Sequence, residues 1–369
     1  MTRRHFVTGG LVALAGCRPE RGNGFEGHAF VANEEGSAVA AVNLTAFAVT
    51  RHIRVDGRPT RVVAHPEKNA VWAMTESHIH EIDPAKLEFR RKIALHGAAV
   101  DMRLDPKGES LWVLTRGQNR ATQFQVDGLS ETGAVALPAE PVAFDFARRE
   151  ALGAAVLSDG AAVVFRTKGP AASATRLALP YAVTLAAFRS DGKQLMVAGG
   201  AARQASFLTV PDGRTVAHLP LAIEPRALSA KPDGGEMYLT GAGLDAVVVL
   251  YPYLAEVGET VLAGKGPAAM AAVSIPELAY LFVANPESGN VTILDITTHK
   301  LVGAVSVGKE PAFLTITPDN QYALVLNRAS GDMGVIRVKS VTRNRGKSAP
   351  LFTMIPVGSR PVAAAVRGV

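Results

Sequence analysis

The sequence has only one cysteine in 369 residues, so it has neither an internal disulfide framework nor a cysteine-rich metal site. It also lacks any uninterrupted apolar run of about 18 residues, which excludes an integral helical membrane protein. Aromatic residues make up 6% of the chain, and the formal net charge of +6 is small for its length. A nucleic-acid-binding protein is therefore not expected, because it would need a basic stripe with stacking aromatics. The chain does have 48% hydrophobic residues, enough to bury a large core.

The first sixteen residues have the composition of a secretory signal peptide. A basic start containing Arg3 and Arg4 precedes the apolar stretch Val7–Gly16, which is too short to anchor the chain in a bilayer. This start resembles the twin-arginine export motif, with Arg3, Arg4 and Phe6 in the motif positions. The alternative is an ordinary basic n-region. We predict that residues 1–16 are a signal peptide and that the protein is exported.

The only cysteine stands where such a leader would be cleaved. Leu14-Ala15-Gly16-Cys17 resembles a bacterial lipobox, whose cysteine becomes the lipidated first residue of the mature protein. The alternative is an incidental thiol. The resemblance implies a membrane-tethered lipoprotein, in the periplasm or on an outer face, with residues 17–27 as its lipidated N-terminus and tether. Arg18 follows the cysteine, so the aspartate that commonly retains lipoproteins at the inner membrane is absent.

The rest of the chain repeats one unit. Pro59–Met74 and Pro311–Leu326 both read as strand, turn, strand, with a second proline seven residues after the first. The frame starts near residues 59, 99, 141, 183, 225, 267, 311 and 361. The 42-residue spacing of Pro225 and Pro267 is typical of the four-stranded blades of a β-propeller. The sequence therefore predicts an all-β propeller.

The two ends of the repeat array are incomplete. Residues 28–58 contain three strands without an inner strand before them, and Pro361–Val369 is an inner strand with nothing after it. Because an exposed sheet edge is unfavourable, we expect these terminal strands to complete one blade. The sequence thus predicts eight blades in one domain, residues 28–369. Seven blades are the alternative, because the repeat is weak over 141–222.

The clearest repeats resemble a known family. The residues that carry the resemblance are Tyr280–Asn285, Ser288–Asp295, Val305–Gly308, Thr317–Asp319 and Tyr322–Asn327, with Phe30–Asn33 repeating the first of these. Together they are similar to the YVTN β-propeller repeat. The resemblance implies the propeller fold and says little about function. YVTN propellers are similar in fold to lactonase-type propellers and to the heavy subunit of quinoprotein amine dehydrogenases, but no motif places either family's site residues here.

Catalytic and cofactor motifs are absent from the sequence. It contains no Gly-x-Ser-x-Gly, phosphate-binding loop, His-Glu-x-x-His, Cys-x-x-Cys-His or EF-hand loop. His78 and His80 would lie on one strand face about 7 Å apart, but no third ligand can be named. We therefore predict no catalytic residue, no metal and no cofactor.

The longest repeat contains a cationic segment. It spans 50 residues from Pro311 to Pro361, which is longer than the 42-residue spacing of Pro225 and Pro267. The additional residues lie between its third and fourth strands. This predicts a protruding loop that contains Arg343, Arg345 and Lys347. The loop is a candidate anion-binding site, and the alternative is a solvated insertion.

Four charged residues share one face of three successive inner strands. Arg61, Asp101, Arg103 and Asp145 fall at matching repeat positions that are otherwise apolar or small. Because their signs alternate, we expect either ion pairs between neighbouring blades or a ligand site in the channel. We call these four residues the charge network.

Taken together, the sequence predicts a non-enzymatic, membrane-tethered propeller. Its partner would be an envelope protein or a small ligand, and its membrane contact would be through the lipid anchor only. The alternative is a lactonase-like hydrolase or a quinoprotein-dehydrogenase-like subunit.

Overall fold

The computed structural model describes residues 24–168, 174–179, 181–276, 278–341 and 350–368. These residues form 32 β-strands and one short 3₁₀ helix, Val338–Ser340. The strands make eight antiparallel sheets of four strands each, which are the blades of a propeller. The prediction of an all-β, eight-bladed propeller is therefore confirmed, and the alternative of seven blades is wrong.

Each blade is one hydrogen-bonded sheet. The closing blade consists of β1 (Gly27–Asn33), β2 (Ala38–Asn43), β3 (Ala48–Arg54) and β32 (Pro361–Gly368). Blade 2 consists of β4 (Arg61–Ala64), β5 (Val71–Met74), β6 (His78–Asp83) and β7 (Glu88–Ala94), and blade 3 of β8 (Ala98–Leu104), β9 (Ser110–Arg116), β10 (Arg120–Gln125) and β11 (Glu131–Ala136). Blade 4 consists of β12 (Pro141–Phe146), β13 (Leu152–Leu157), β14 (Ala162–Arg166) and β15 (Thr175–Arg176), and blade 5 of β16 (Leu185–Phe188), β17 (Gln194–Gly199), β18 (Gln204–Thr209) and β19 (Thr215–Pro220). Blade 6 consists of β20 (Glu224–Ala230), β21 (Met237–Ala242), β22 (Ala246–Tyr251) and β23 (Glu256–Leu262), and blade 7 of β24 (Met270–Ile275), β25 (Leu278–Asn285), β26 (Asn290–Asp295) and β27 (Lys300–Ser306). Blade 8 consists of β28 (Pro311–Ile316), β29 (Tyr322–Asn327), β30 (Asp332–Arg337) and β31 (Leu351–Pro356).

The ring closes through the two ends of the chain. β32 pairs antiparallel with β1, so that Phe30 lies opposite Ala365 and Ala32 opposite Ala363. The inner strands then contact one another in a complete cycle, from β32 to β4 and on through β8, β12, β16, β20, β24 and β28 back to β32. The split blade predicted from the repeat is thus confirmed, and the ring has no free inner edge.

Burial explains why some strands are apolar and others polar. The second strands are mostly buried, and Val71–Met74 is buried along its whole length, because neighbouring blades cover both faces. They therefore lack the polar alternation of a half-exposed strand. Outermost strands such as Glu88–Ala94 are mostly exposed and polar. Between blades 3 and 4, the Trp112 ring packs 5.7 Å from both Phe146 and Phe165, measured between ring centroids. The core therefore consists of layers between blades.

Short turns connect the first and second strands of blades 2 to 8 and lie together at one end of the propeller, which we call the inner-turn face. In the turn after β16, the Asp191 carboxylate accepts hydrogen bonds from the Lys193 amide at 3.0 Å and the Arg189 side chain at 2.8–2.9 Å. Gly192 in this turn has φ of +75°, a conformation that disfavours side chains. The turn chemistry predicted from Asp and Gly is what closes this end of the blade. Within the described ranges, no helix has the length and apolar character needed to cross a membrane.

Candidate functional site

The inner strands bring the four residues of the charge network into contact. The Arg61 Nε atom lies 2.8 Å from Asp101 Oδ1, joining blades 2 and 3. Arg103 Nε lies 3.3 Å from Asp101 Oδ2, and Arg103 Nη1 lies 3.3 Å from Asp145 Oδ1, joining blades 3 and 4. The charges therefore form a chain of alternating sign across three blades.

Asp101 is the desolvated member of this chain. Its side chain is 4% exposed, whereas the side chains of Arg61 and Arg103 are 43% and 44% exposed. Its Oδ1 also accepts a hydrogen bond from the Met102 amide at 3.0 Å. A carboxylate removed from water needs such partners on both oxygens. The two arginines supply them while keeping much of their own surface in water.

Asp145, on blade 4, extends the chain of contacts to blade 5. Its Oδ2 accepts a hydrogen bond at 2.9 Å from the amide of Phe188 on β16, and Arg103 holds its other oxygen. Burial raises the pKa of Asp145, and the neighbouring Arg103 and Arg148 only partly oppose that shift. A carboxyl with a raised pKa beside a cavity is a frequent property of functional sites.

A pocket of about 260 Å³ opens beside Asp145 on the inner-turn face. The inner strands of blades 4, 5 and 6 and their turns form its walls, and Arg103 reaches it from blade 3. The apolar part of the lining consists of Ala143, Phe144, Phe146, Leu185, Ala186, Ala187, Phe188, Leu228, Ala230 and Met237. A mainly apolar concavity with a few convergent polar groups is the usual form of a small-molecule site.

Two further cations line this pocket, and the sequence reasoning missed both. Arg148 follows β12, and its Nη1 donates a hydrogen bond at 3.3 Å to the Pro232 carbonyl in the turn after β20. Lys231 lies in the same turn, with its Nζ 3.2 Å from Asp233 Oδ2 and 3.7 Å from Glu236 Oε1. Their turns come from blades 4 and 6, so Arg148 reaches past the end of β16. The only feature of the sequence that could have indicated these two residues is that basic residues occur at the ends of inner strands.

Glu236 is itself held by other groups. Tyr238 donates a hydrogen bond to its Oε2 at 2.7 Å, and His299 Nε2 lies 3.2 Å from the same oxygen. His299 Nδ1 lies 2.9 Å from Glu259 Oε2, so the imidazole bridges blades 6 and 7. Burial and Glu236 raise the pKa of Tyr238, and burial and Glu259 raise the pKa of Tyr251 to about 12. Glu236, the more distant of the two carboxylates beside Lys231, therefore also interacts with Tyr238 and His299.

Within the part of the chain that the structure describes, no third ligand joins His78 and His80 in a metal site. Their ring centroids lie 5.8 Å apart, as their shared strand face predicts. The His80 Nε2 atom accepts a hydrogen bond from the Asp56 amide at 3.1 Å, and Lys92 Nζ forms an ion pair with the Asp56 carboxylate. Burial, followed by repulsion from His78, lowers the pKa of His80. Among the described residues, no group of three or more His, Cys, Asp or Glu could hold a metal ion.

Two predicted features lie outside the described residues. These are the leader with its anchor (Arg3, Arg4, Phe6 and Cys17) and the cationic loop (Arg343, Arg345 and Lys347). Both stay predictions.

Comparison with known proteins identifies the fold. No family model matches the chain, and no curated protein matches it by sequence. Among solved structures, it is similar to the dihydro-heme d1 dehydrogenase NirN in complex with DHE, with a TM-score of 0.75 and 14% identity over 96% of this chain and 78% of that one. It is also similar to the hydrazine synthase of Kuenenia stuttgartiensis, with a TM-score of 0.57 and 14% identity over 89% of this chain and 99% of that one. A third similar structure is the Cps50 (Swd1) β-propeller domain of Myceliophteria thermophila. Its TM-score is 0.60, with 12% identity over 77% of this chain and 98% of that one. At such identities the likeness shows the propeller fold alone.

Proposed function

We propose that this protein is a non-enzymatic binding protein of the cell envelope, and that it binds its partner at the pocket on the inner-turn face. The observation that carries the proposal is the pocket itself. It combines apolar walls with Arg103, Arg148, Lys231 and the partly buried carboxyl of Asp145. Charged groups fixed by ion pairs and backbone hydrogen bonds are suited to orienting a ligand.

The cellular location is the second element of the proposal. The leader with Arg3, Arg4 and Phe6 would direct export, and lipidation of Cys17 would hold the protein at a membrane. The resemblance of Tyr280–Asn285 and related segments to YVTN repeats supports an assignment to exported bacterial propellers. Residues 18–26 would then serve as a short tether between the lipid and β1, which begins at Gly27.

An enzymatic role is the second candidate. It is favoured by the similarity of nearly the whole chain to the dihydro-heme d1 dehydrogenase NirN and to a hydrazine synthase. By analogy, this chain would be the propeller of a redox enzyme or a lactonase-like hydrolase. The pocket volume of about 260 Å³ lies just below the 300–1,000 Å³ typical of ligand and cofactor sites, so it suits a small molecule better than a large cofactor.

The test compares the full-length wild type with a variant whose pocket is filled. Ala186 lines the pocket on β16, and Ala186→Phe would occupy part of it. Val216→Phe, on the exposed outer strand β19, is the matched control. Each protein is purified from detergent-solubilised membranes of its source cells, its fold is checked by circular dichroism, and co-purifying molecules are identified by mass spectrometry.

We expect one component to be retained by the wild type and by Val216→Phe but lost by Ala186→Phe. Retention of every component by Ala186→Phe would overturn the assignment to this pocket. The same preparations are assayed with lactones and with dye-linked amine and alcohol oxidation. Turnover by the wild type would replace the binding proposal with the enzymatic candidate.

A further inference from the structure

The cations that line the pocket on the inner-turn face differ in how closely carboxylates contact them. Arg103 is paired with two carboxylates, Asp101 and Asp145. Arg148 is different, because the contact that the structure shows for its guanidinium is one hydrogen bond to a neutral carbonyl, that of Pro232, at 3.3 Å. A guanidinium has five N–H donors, so Arg148 keeps the capacity for a bidentate anion.

Lys231 has two carboxylates within 4 Å, but neither ion pair is strong. Its nearest carboxylate belongs to Asp233, 3.2 Å away, whose side chain is 56% exposed, so water weakens this ion pair. The other carboxylate, Glu236, is 3.7 Å away and already accepts from Tyr238 and faces His299. The Pro232 carbonyl that binds Arg148 follows Lys231 in the chain, so both cations belong to one side of the pocket opening.

Part of the pocket lining is apolar. Phe144, Phe146, Phe188 and Met237 are each buried to more than nine-tenths, and their lining surfaces offer no hydrogen-bond partner to a polar ligand. Burying an apolar ligand segment against them is favourable in proportion to the area removed from water, most of which belongs to the ligand because these side chains expose less than a tenth of their surface. The ligand should therefore have an anionic end and an apolar end.

Asp145 limits how much negative charge the ligand can carry. Its carboxyl faces Arg103 from β8, Arg148 from the turn after β12 and the Phe188 amide from β16. A dianion such as a phosphate monoester would be repelled by an ionised Asp145 more strongly than a single carboxylate. The small volume of about 260 Å³ also favours a compact molecule.

We propose that the pocket binds a small amphipathic monocarboxylate, whose carboxylate pairs with Arg148 and Lys231 and whose apolar part packs against Phe144 and Phe188. This inference rests on the proposed binding function and names its ligand class. It concerns residues of the inner-turn face and is independent of the lipid anchor.

The test uses hexanoate as the probe and isothermal titration calorimetry on the full chain. Hexan-1-ol, hexylamine and hexylphosphonate have the same chain with a neutral, cationic or more highly charged anionic end. We expect hexanoate to bind most tightly, with hexan-1-ol at least tenfold weaker and no binding of hexylamine. A tenfold loss corresponds to about 1.4 kcal/mol, which is close to the lower end of the range expected for one charge-assisted hydrogen bond.

Arg148→Ala and its neighbour Arg149→Ala form a matched pair. Both arginines are exposed, but only Arg148 lines the pocket. We expect Arg148→Ala to weaken hexanoate binding at least tenfold and Arg149→Ala to leave the Kd unchanged. Lys231→Gln should also weaken binding, and it keeps the inference testable if Arg148→Ala does not fold.

Three results would overturn the inference. These are equal losses from Arg148→Ala and Arg149→Ala, equal binding of hexylamine, and tighter binding of hexylphosphonate than of hexanoate. Absence of hexanoate binding, with a co-purifying component still lost on Ala186→Phe, would mean that the ligand class is wrong and the binding function stands. Absence of both would overturn the proposed function as well.

Discussion

Removing both arginines around Asp101 should destabilise the protein far more than the sum of the two single changes. Arg61 and Arg103 each hold one carboxylate oxygen of Asp101, so either can partly compensate for loss of the other. Methionine is the replacement, because it keeps most of the apolar stem of arginine without the charge. The perturbation is therefore Arg61→Met, Arg103→Met and the double variant.

The expected magnitudes follow from exposure. Each arginine is more than 40% exposed, so losing one ion pair should cost about 0.2–1 kcal/mol, as for other solvated pairs. The double variant leaves Asp101, which is 4% exposed, without a charged partner from the network, and an uncompensated buried charge costs about 3–5 kcal/mol. The double variant should thus lose roughly 2 kcal/mol more of the free energy of unfolding than the two single variants lose together. Adding Asp101→Asn to the double variant should recover much of this loss, because no buried charge remains.

The assay is equilibrium unfolding in urea followed by circular dichroism. A melting temperature is less sensitive, because in a chain of 369 residues 1 kcal/mol corresponds to a shift of only about 1 °C. Arg116→Met, an exposed arginine at the end of β9, is the control and should change the free energy of unfolding by less than about 0.5 kcal/mol. Strictly additive losses with no recovery on Asp101→Asn would refute the reasoning that Asp101 is the buried charge on which the network depends.

Three further predictions concern closure, titration and the anchor. Deleting Pro361–Gly368 removes the inner strand β32. The free energy of unfolding should then fall by about 5 kcal/mol or more, which is comparable to the whole stability of a domain. An unchanged resistance to proteolysis would show that the chain ends do not close the ring. Because burial raises the pKa of Asp145, its stability contribution falls as pH rises from the ordinary aspartate pKa of about 4 through the raised value in the folded state. The Asp145→Asn variant should lose that slope in urea unfolding across pH 3–8, and parallel pH profiles for the two proteins would contradict this. Cys17→Ala should abolish incorporation of labelled palmitate and membrane partitioning while circular dichroism stays unchanged, and persistent labelling would refute the predicted lipobox.

The fold could be predicted from the sequence because its physical cause is periodic. Each blade needs a buried second strand and a tight turn, so apolar runs and Asp/Gly turns recur at nearly constant spacing, as at Pro225 and Pro267. The incomplete repeats at the two ends then predict that β32 completes the closing blade. Even the weak middle of the array kept its four-stranded blades, because alanine-rich strands such as Leu152–Leu157 are covered on both faces as the consensus strands are.

The site could be predicted only in part. Arg61, Asp101, Arg103 and Asp145 were identifiable because inner strands place equivalent repeat positions side by side, and alternating charges at such positions must find partners. Arg148 has no equivalent signal. It lies in a turn, where exposed cations are common, and its contact with Pro232 depends on the distance between two turns of non-adjacent blades. That distance is set by packing around the ring and leaves no pattern in the sequence.

The two hypotheses that the charges raised, structural ion pairs and a ligand site, need not exclude each other. The pair between Arg61 and Asp101 lies at one end of the network, where the Asp101 side chain is only 4% exposed and ion pairing stabilises the junction of two blades. Asp145 lies at the other end, where its side chain is 27% exposed and borders the pocket. Arg103 belongs to both ends, since it bonds to Asp101 and lines the pocket. A buried anchor at one end therefore fixes the position of the guanidinium at the other, and we infer that the network orients the polar part of the pocket before any ligand arrives.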